Sequence, residues 1–360
     1  AKKWVATAKA GGMKYITFIS RHHDSFSNWD TKESEWKITN TPYGKDALKQ
    51  LADECHKEGI KLFLYYSLLD WYRSDYQYET GKTGQGTGRT QKSDWESYIR
   101  FMKAQLTELL TNYGKIDGIW FDGHWDQLDN DHDKTLQSKV NWHYDDIYKL
   151  IHSLQPQCLI SNNHHLLPIP GEDFQAFEKD LPGGNSTGFG GQSVSQLPLE
   201  TCETMNDSWG FSITDKKYKS TKDLIHYMVN AASLNANFLL NVGPMPDGTI
   251  QPEFVSTLKE IGDWMKLNGQ SIYGTRGNVT KGQDWGVLTA KDKIWYAHII
   301  KKPKDSAAIF IADVKNKIKS CHLLNSKKAL KFKQQADGVF VYLDGVQLDA
   351  IDTIIELKLQ

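Results

Sequence analysis

Apolar residues follow two alternating patterns along the first three quarters of the chain. Short apolar runs predict strands, and apolar residues three or four positions apart predict amphipathic helices. In segment 47–58, Leu48, Leu51 and Cys55 share one face and Gly59 ends the helix. Seven strands are predicted, at 15–20, 61–67, 116–122, 158–162, 173–177, 199–204 and 237–242. Helices are predicted at 4–10, 47–58, 95–113, 147–154, 220–234 and 252–267.

Strands that alternate with helices favour parallel βα units. Seven strands are one fewer than a (β/α)8 barrel contains, and the chain opens on a helix. We therefore predict an α/β fold, a (β/α)8-like (TIM-type) barrel whose first strand is missing from this chain. An open doubly wound sheet is the alternative. We favour it less because polar residues recur at the end of strand after strand.

The pattern changes from about Asn278. Strands joined by short turns are predicted at 285–288, 293–300, 307–312, 338–343 and 353–359. This stretch has little helical periodicity, which favours an antiparallel β-sandwich. We predict a catalytic domain at 1–276 and a β-sandwich domain at 277–360. The lysines between 301 and 333 indicate a solvated sheet face, because arginines and stacking aromatics do not alternate with them.

Composition excludes several classes of protein. The 360 residues carry 43 Lys+Arg against 44 Asp+Glu, and a net charge of -1 gives no field for nucleic acid or an anionic membrane. No apolar run approaches the ~18–20 residues of a membrane-spanning helix. The four cysteines lie far apart without a C-x-x-C pair, which leaves the redox compartment open. Twelve tryptophans and sixteen tyrosines are many for this length, and they either fill a core or build flat apolar surfaces.

Polar and charged residues collect where the predicted strands end. In barrels of this type, the carboxyl ends of the strands and the loops after them build the active site. In chain order these residues are Arg21 to Asp24, Tyr65 to Asp70, Asp122, Asn162 to His165, Glu178, Glu200 with Glu203, and Asn241. Packing does not readily explain so many charged residues at strand ends, because ionised groups must be paired or face a ligand. The pattern predicts a polar site at this end of the strands.

Asp122 and Glu178 are the strongest candidates for chemistry. Asp122 ends an apolar strand beside Trp120, and Glu178 ends a later strand. An Asp at such a place is often only a cap for the next segment, but a partner carboxylate favours catalysis. In glycoside hydrolysis one carboxylate attacks or stabilises the sugar carbon, and the other holds a proton because its pKa is raised. The aromatic excess would then supply faces for sugar rings.

The histidines are weaker signals. His22 and His23 are adjacent, so both reach one ligand only if the strand has ended before them. Otherwise one is a core histidine and the other lies at the surface. The sequence has no H-x-H at a strand end and no H-E-x-x-H on a helix, so the spacing of metal ligands is poor. We predict no metal, with a metal-dependent hydrolase as an alternative.

Seven stretches carry a family resemblance in their order along residues 4–276. They are KYITFISRHHDSF (14–26) with Trp29, LYYSLLDW (64–71), DGIWFDG (117–123), LETC (199–202), NDSWGF (206–211), NFLLNVGPMPDGTI (237–250) and NGQSIYGT (268–275). Together they resemble the α-L-fucosidases of glycoside hydrolase family 29. The combination is specific, although single stretches are short.

The resemblance implies a retaining exo-hydrolase that removes terminal α-L-fucose from fucosylated oligosaccharides or glycoconjugates without a cofactor. By position, Asp122 corresponds to the nucleophile and Glu178 to the general acid/base, with Glu172, Glu200 and Glu203 as rivals. The side chains implied to hold the sugar are His22, His23, Trp29, Tyr65, Trp120, His164, Glu200 and Trp209.

The resemblance also implies an extracytoplasmic location, which could be periplasmic, secreted or lysosomal, although no signal peptide is visible at Ala1. Because the family's first strand is absent, the alternative to an enzyme is a catalytically inactive fucose- or carbohydrate-binding relative. Neither nucleic acid nor membrane insertion is expected. The linkage cleaved depends on loops 72–92 and 126–139, whose shapes the sequence pattern does not predict.

Overall fold

The computed structural model describes residues 1–84, 86, 88–128, 138–303 and 307–360. The chain forms two compact units. The first consists of 1–9, 13–178 and 188–198, and the second of 10–12, 179–187 and 199–360. Part of loop 126–139 lies outside the described residues given above. In the described part of the chain, every helix is too short or too polar to cross a membrane.

The first unit is an α/β structure. Its strands are β1 (Tyr15–Arg21), β2 (Lys61–Ser67), β3 (Gly118–Asp122), β4 (Leu159–Asn162) and β5 (Gln175–Glu178). The first four pair in parallel and in chain order, which confirms parallel βα units. Its helices are α1 (Lys2–Ala10), α2 (Ala47–Glu58), α3 (Trp95–Asn112) and α4 (Tyr144–Leu154). Short 3-10 helices lie at Ile38–Asn40 and His124–Gln127.

Local chemistry sets the ends of α2 and α3. The Asp46 side chain accepts a hydrogen bond from the Lys49 amide at the start of α2, and Asp94 accepts one from the Ser97 amide at the start of α3. These caps satisfy amides that the first helical turn leaves free. Gly59 ends α2 with a left-handed backbone at φ +69°. The predicted bounds of α2 are confirmed.

The core of the first unit lies between these helices and strands. In β2 every residue after Lys61 is buried, as expected of a parallel strand that is covered on both faces. Leu62 and Leu64 of β2 pack with Leu106 of α3 and Ile151 of α4 in one hydrophobic cluster. The polar ends of the strands are thereby fixed to a rigid framework.

The second unit begins with the parallel pair β6 (Leu199–Thr204) and β7 (Ala236–Asn241), with helices α5 (Thr221–Ser233) and α6 (Pro252–Asn268). Antiparallel strands follow: β8 (Gly286–Lys291), β9 (Ile294–Ile299), β10 (Ala308–Ala312), β11 (Ile318–Leu323), β12 (Phe332–Gln335), β13 (Gly338–Tyr342) and β14 (Thr353–Leu359). They form two sheets, in the orders β11-β14-β9-β8 and β10-β13-β12, which share one hydrophobic core. The predicted antiparallel structure at the carboxyl end is confirmed.

The sequence pattern missed β11 and β12. Only Ile318 and Cys321 of β11 are buried, and β12 has no fully buried residue. The alternation of apolar and polar residues in both strands is weak, so the sequence pattern did not predict them. Pairing of β11 with β14 and of β12 with β13 supplies most of their order. All four cysteines are buried free thiols, as expected for Cys55 and Cys158.

Candidate active site

Asp122 lies at the end of β3, where the chain turns sharply. Gly123 follows it at φ +102°, and a Cβ atom there would lie 2.7 Å from the Leu69 amide nitrogen. Glycine therefore lets β3 end tightly against the segment after β2. Tyr65 of β2 donates a hydrogen bond of 2.7 Å from its hydroxyl to Asp122 Oδ2. This bond fixes the carboxylate, whose side chain remains 14% exposed.

Asn163, directly after β4, joins Asp122 to Glu178. Its side-chain Nδ2 donates to Glu178 Oε2 at 2.8 Å and to Asp122 Oδ1 at 3.4 Å. Glu178 ends β5, and its side chain is 17% exposed. The two predicted catalytic carboxylates thus lie together around one amide group, with both partly open to solvent.

The charge of Asp122 is suppressed by its surroundings. Burial, followed by repulsion from Glu178, raises the pKa of Asp122 from 3.8 to about 6, while the hydrogen bond from Tyr65 acts in the opposite direction. Burial and the neighbouring Asp122 charge also hold the pKa of the Tyr65 hydroxyl well above 10. Tyr65 is therefore a neutral hydrogen-bond donor to the carboxylate at physiological pH.

His23 faces Asp122 with a free lone pair. Ser67 donates its only hydroxyl hydrogen to the Leu69 carbonyl, so the Ser67 Oγ must accept the 2.6 Å hydrogen bond from His23 Nδ1. Nε2, 3.7 Å from Asp122 Oδ2, is then the unprotonated nitrogen. Burial and the nearby His22 and Arg21 lower the pKa of His23 to about 3, which keeps the ring neutral. Nε2 can accept a hydrogen bond from a substrate hydroxyl.

His22 and Trp120 complete the wall beside Tyr65. The β1 strand ends at Arg21, so His22 and His23 both turn to the same region, as the prediction required. The His22 ring stacks on the Tyr65 ring at a centroid distance of 5.2 Å, and the Trp120 ring stacks on it at 5.5 Å. The structure thus brings the predicted residues His22, His23, Tyr65 and Trp120 together with Asp122 in the first unit.

His165 is the histidine that reaches Glu178. Its Nε2 lies 3.6 Å from Glu178 Oε2, and its Nδ1 donates to the Phe189 carbonyl at 2.6 Å. Burial opposes the charged ring, but the Glu178 carboxylate overcomes it, so the pKa of His165 is raised. Sequence reasoning missed Asn163 and His165 as site residues. The signal was present, because both lie in the strand-end stretch 162–165.

The structure contradicts the substrate contact predicted for His164. Its ring is buried, with Nε2 at 3.0 Å from Glu172 Oε1 and Nδ1 accepting from the Leu166 amide. Glu172 also accepts from the Tyr148 hydroxyl at 2.9 Å, so this rival carboxylate is held inside the core. The backbone at His165 is left-handed, at φ +60°, and it turns these two neighbours to different surroundings.

The substrate contact predicted for Trp29 is also corrected. Trp29 has no exposed surface, belongs to the core of the first unit and donates from Nε1 to Glu108 at 3.1 Å. A sugar cannot contact a side chain in this position, so Trp29 packs the core and orients the loop after β1.

Glu200, Glu203 and Trp209 lie in the second unit. Glu200 is buried on β6, and Glu203 accepts from the Thr204 amide and lies 3.4 Å from Lys219 Nζ. Trp209 is 39% exposed, with Lys179 Nζ 5.1 Å from its ring centroid. The substrate contacts predicted for Glu200 and Trp209 stay predictions.

Comparison with known proteins adds a family to this geometry. The family model described as alpha-L-fucosidase matches residues 1–270. Alpha-L-fucosidase isoenzyme 1 from Paenibacillus thiaminolyticus is 32% identical, with a TM-score of 0.85, over 100% of this chain and 86% of that one. An alpha-L-fucosidase of family GH29 from Bacteroides thetaiotaomicron is 25% identical, with a TM-score of 0.84, over 100% and 80%.

Curated relatives point the same way. The alpha-L-fucosidase of Dictyostelium discoideum is 28% identical over 346 residues, which are 91% of this chain and 68% of that protein. The human tissue alpha-L-fucosidase is 25% identical over 371 residues, or 97% and 72%. The family model covers most of the chain, and within the first unit Tyr65, His23 and Asn163 meet around Asp122. The chain is a glycoside hydrolase and belongs to the α-L-fucosidases of glycoside hydrolase family 29.

Proposed function

We propose that this protein is an exo-acting retaining α-L-fucosidase, with Asp122 as the nucleophile and Glu178 as the general acid/base. The observation that carries the proposal is the bridge through Asn163 Nδ2, which is 2.8 Å from Glu178 Oε2 and 3.4 Å from Asp122 Oδ1. Those two oxygens can be no farther apart than the sum of these contacts. That limit is below the ~6.5–9.5 Å that inverting enzymes keep for a water molecule.

In the first step, the Asp122 carboxylate attacks the anomeric carbon of fucose and the glycosidic C–O bond breaks. Glu178 gives its proton to the departing oxygen, so the leaving group departs as a neutral alcohol. In the second step, Glu178 removes a proton from water, and the water oxygen attacks the same carbon. Asp122 leaves as a carboxylate, and Glu178 is again protonated. Both carboxylates return to their starting state.

The neighbouring side chains hold the sugar and the two carboxylates. His23 Nε2 accepts from a fucose hydroxyl, and the adjoining His22 and Trp120 complete the pocket wall beside Tyr65. Tyr65 keeps Asp122 in place through its 2.7 Å bond. His165 lies beside Glu178, with its Nε2 3.6 Å from Oε2, and orients that carboxylate; burial opposes a charge on the ring, but Glu178 raises its pKa. Every one of these contacts forms within the first unit.

We further propose a (β/α)8-like barrel at 1–276 and a β-sandwich at 277–360. The order of elements supports this proposal, because parallel βα units precede two antiparallel sheets along the chain. The substrate class is the terminal α-L-fucose of fucosylated oligosaccharides or glycoconjugates. An extracytoplasmic location fits that substrate class. These statements rest on family membership together with the predicted domain order.

The test is to follow product stereochemistry on an aryl α-L-fucoside by NMR. A retaining enzyme forms α-L-fucose first, and mutarotation to the β-anomer follows. Asp122→Ala and Asp122→Asn should each lower kcat/KM by about a thousandfold or more, because the nucleophile is removed. Glu33→Gln, which removes an exposed carboxylate of the first unit, is the control and should leave turnover unchanged.

Four results would overturn the proposal. The β-anomer as first product would mean inversion, and full activity of folded Asp122→Ala would remove its assigned role. Fucose binding without turnover by the wild-type protein would favour the inactive carbohydrate-binding relative. Loss of activity in EDTA, with restoration by a metal ion, would instead favour a metal-dependent hydrolase.

A further inference from the structure

A strip of exposed aromatic side chains lies on the first unit. Trp71, Tyr72 and Trp36, here called the aromatic strip, are 37%, 60% and 44% exposed. The Trp36 and Tyr72 rings are stacked, with centroids 5.6 Å apart and planes at 20°. The edge of Phe26 supports Trp36 at a centroid distance of 5.0 Å. Large apolar rings left open to water in one place mark a binding surface.

The aromatic strip is continuous with the proposed catalytic pocket. The Trp71 amide donates to the His23 carbonyl at 2.7 Å, and the Trp71 ring meets the His23 ring edge to face at 5.2 Å. Trp36 donates from Nε1 to the carbonyl of Asp24, the residue after His23. His23 Nε2 is itself 3.7 Å from Asp122 Oδ2. The strip therefore starts at the pocket wall and extends away from the reacting carboxylate.

The rings are held in place before any ligand arrives. Trp71 is fixed by a hydrogen bond of 2.8 Å from its Nε1 to Thr83 Oγ1, and Trp36 by its bond to the Asp24 carbonyl. Preorganised rings lose little conformational entropy when they bind, so the contact energy is not spent on ordering them. Flat, neutral faces suit the C–H faces of a sugar ring, and exposed polar groups such as Asp24 can meet its hydroxyls.

We propose that the aromatic strip is the aglycone-binding site, which binds the sugar units to which the terminal fucose is attached. The inference rests on the proposed function, because it assumes that fucose occupies the pocket at Asp122. An exo-acting enzyme holds only the terminal sugar in that pocket, and the rest of the glycan must pass over the surface beside it. The strip is an aromatic part of that surface, and its Trp71 contacts His23 of the pocket wall.

The test compares two substrates in each variant: an aryl α-L-fucoside with a small leaving group, and a fucosylated oligosaccharide. Trp36→Ala and Tyr72→Ala should lower kcat/KM for the oligosaccharide about tenfold, the size expected of one lost aromatic contact. Both variants should leave kcat/KM for the aryl fucoside unchanged. Trp36→Phe and Tyr72→Phe keep a ring and should restore most of the oligosaccharide activity. Tyr43→Ala, at a 49% exposed tyrosine outside the strip, is the control.

The other results decide against the strip or against the proposed function, and they can be told apart. Unchanged oligosaccharide activity in both Ala variants, or equal losses on both substrates, would overturn the aglycone site while the fucosidase assignment stands. A change in sedimentation of Trp36→Ala without a change in substrate preference would show that the strip is a contact with a second copy. If the wild-type protein cleaves neither substrate, it is the proposed function that fails.

Discussion

Single side chains at this site take their charge from burial and from each other. His23 is kept neutral because burial and its basic neighbours lower its pKa to about 3, whereas burial and Glu178 raise the pKa of Asp122 to about 6. Asp122 is therefore ionised only above about pH 6, and its charge depends on the state of Glu178.

The pair makes a pH prediction. Glu178→Gln removes the negative charge beside Asp122, which favours its ionised form and lowers its pKa. The acidic limb of kcat/KM for an activated aryl fucoside, whose leaving group needs no proton, should move to lower pH by about half a unit or more. Measured pH profiles check this, with Glu33→Gln as an exposed carboxylate control. An unmoved limb, or one at higher pH, contradicts the coupling.

His164 and His165 show what residue-level prediction could not resolve. Both follow β4, and the strand-end rule marks the whole stretch 162–165. The left-handed backbone at His165 places His164 on Glu172 in the core and His165 on Glu178. No periodicity in the sequence reports a single turn of this kind, because it depends on which partners lie on each side.

The ends of elements, more than their middles, build the site. Asp122 and Glu178 are the last residues of β3 and β5, and Asn163 and His22 come directly after β4 and β1. Parallel pairing brings the ends of β1 to β4 to one edge, and the β2–β3 register places Ser67 opposite Asp122. Asn163 then joins this edge to Glu178 at the end of β5. This is why a list of strand ends found most of the site from the sequence.

The turn after β3 yields a prediction at this scale. In Gly123→Ala, the new methyl group must enter the space of Leu69 at 2.7 Å, in addition to the strain of φ +102°. Gly59→Ala is the matched control, because Gly59 is also left-handed but has no neighbour within 4 Å of an added methyl group. Gly59→Ala should cost about 1 kcal/mol of unfolding free energy, and Gly123→Ala about 2 kcal/mol or more.

Urea unfolding of the two variants measures the difference, and kcat/KM adds a second readout. Gly59→Ala should leave activity unchanged, whereas Gly123→Ala should lower it, because Asp122 precedes the displaced turn. Equal stability losses with equal activity would show that the close approach to Leu69 is unimportant.

At the scale of the whole molecule, the proposed site costs stability. The folded pKa of Asp122 lies above its value of ~3.9 in an unfolded chain. A raised folded pKa means that the carboxyl group stabilises the fold fully only below its unfolded pKa. Stability is lost as the pH rises through about 6, by up to ~3 kcal/mol for a shift of this size.

Asp122→Asn should therefore raise the melting temperature at pH 7.5 and raise it much less at pH 4. The amide oxygen can still accept the bond from Tyr65. Calorimetry at the two pH values tests this. Asp263→Asn is a control of opposite sign, because Lys259 and Lys266 lower the pKa of the exposed Asp263 to about 2, so its charge stabilises the fold at neutral pH. A lower melting temperature for Asp122→Asn at pH 7.5 would contradict the expected strain.

By itself, the sequence determined the order of helices and parallel strands, the change to antiparallel strands, and the place of Asp122 and Glu178 at strand ends. Apolar spacing carries this information, because each element must bury one face. Only the tertiary structure decided that Trp29 and His164 are core residues and that Asn163 and His165 face the carboxylates. It also supplied β11 and β12, whose polar sequences are ordered by pairing. Burial and pairing depend on neighbours distant along the chain, and local spacing does not record them.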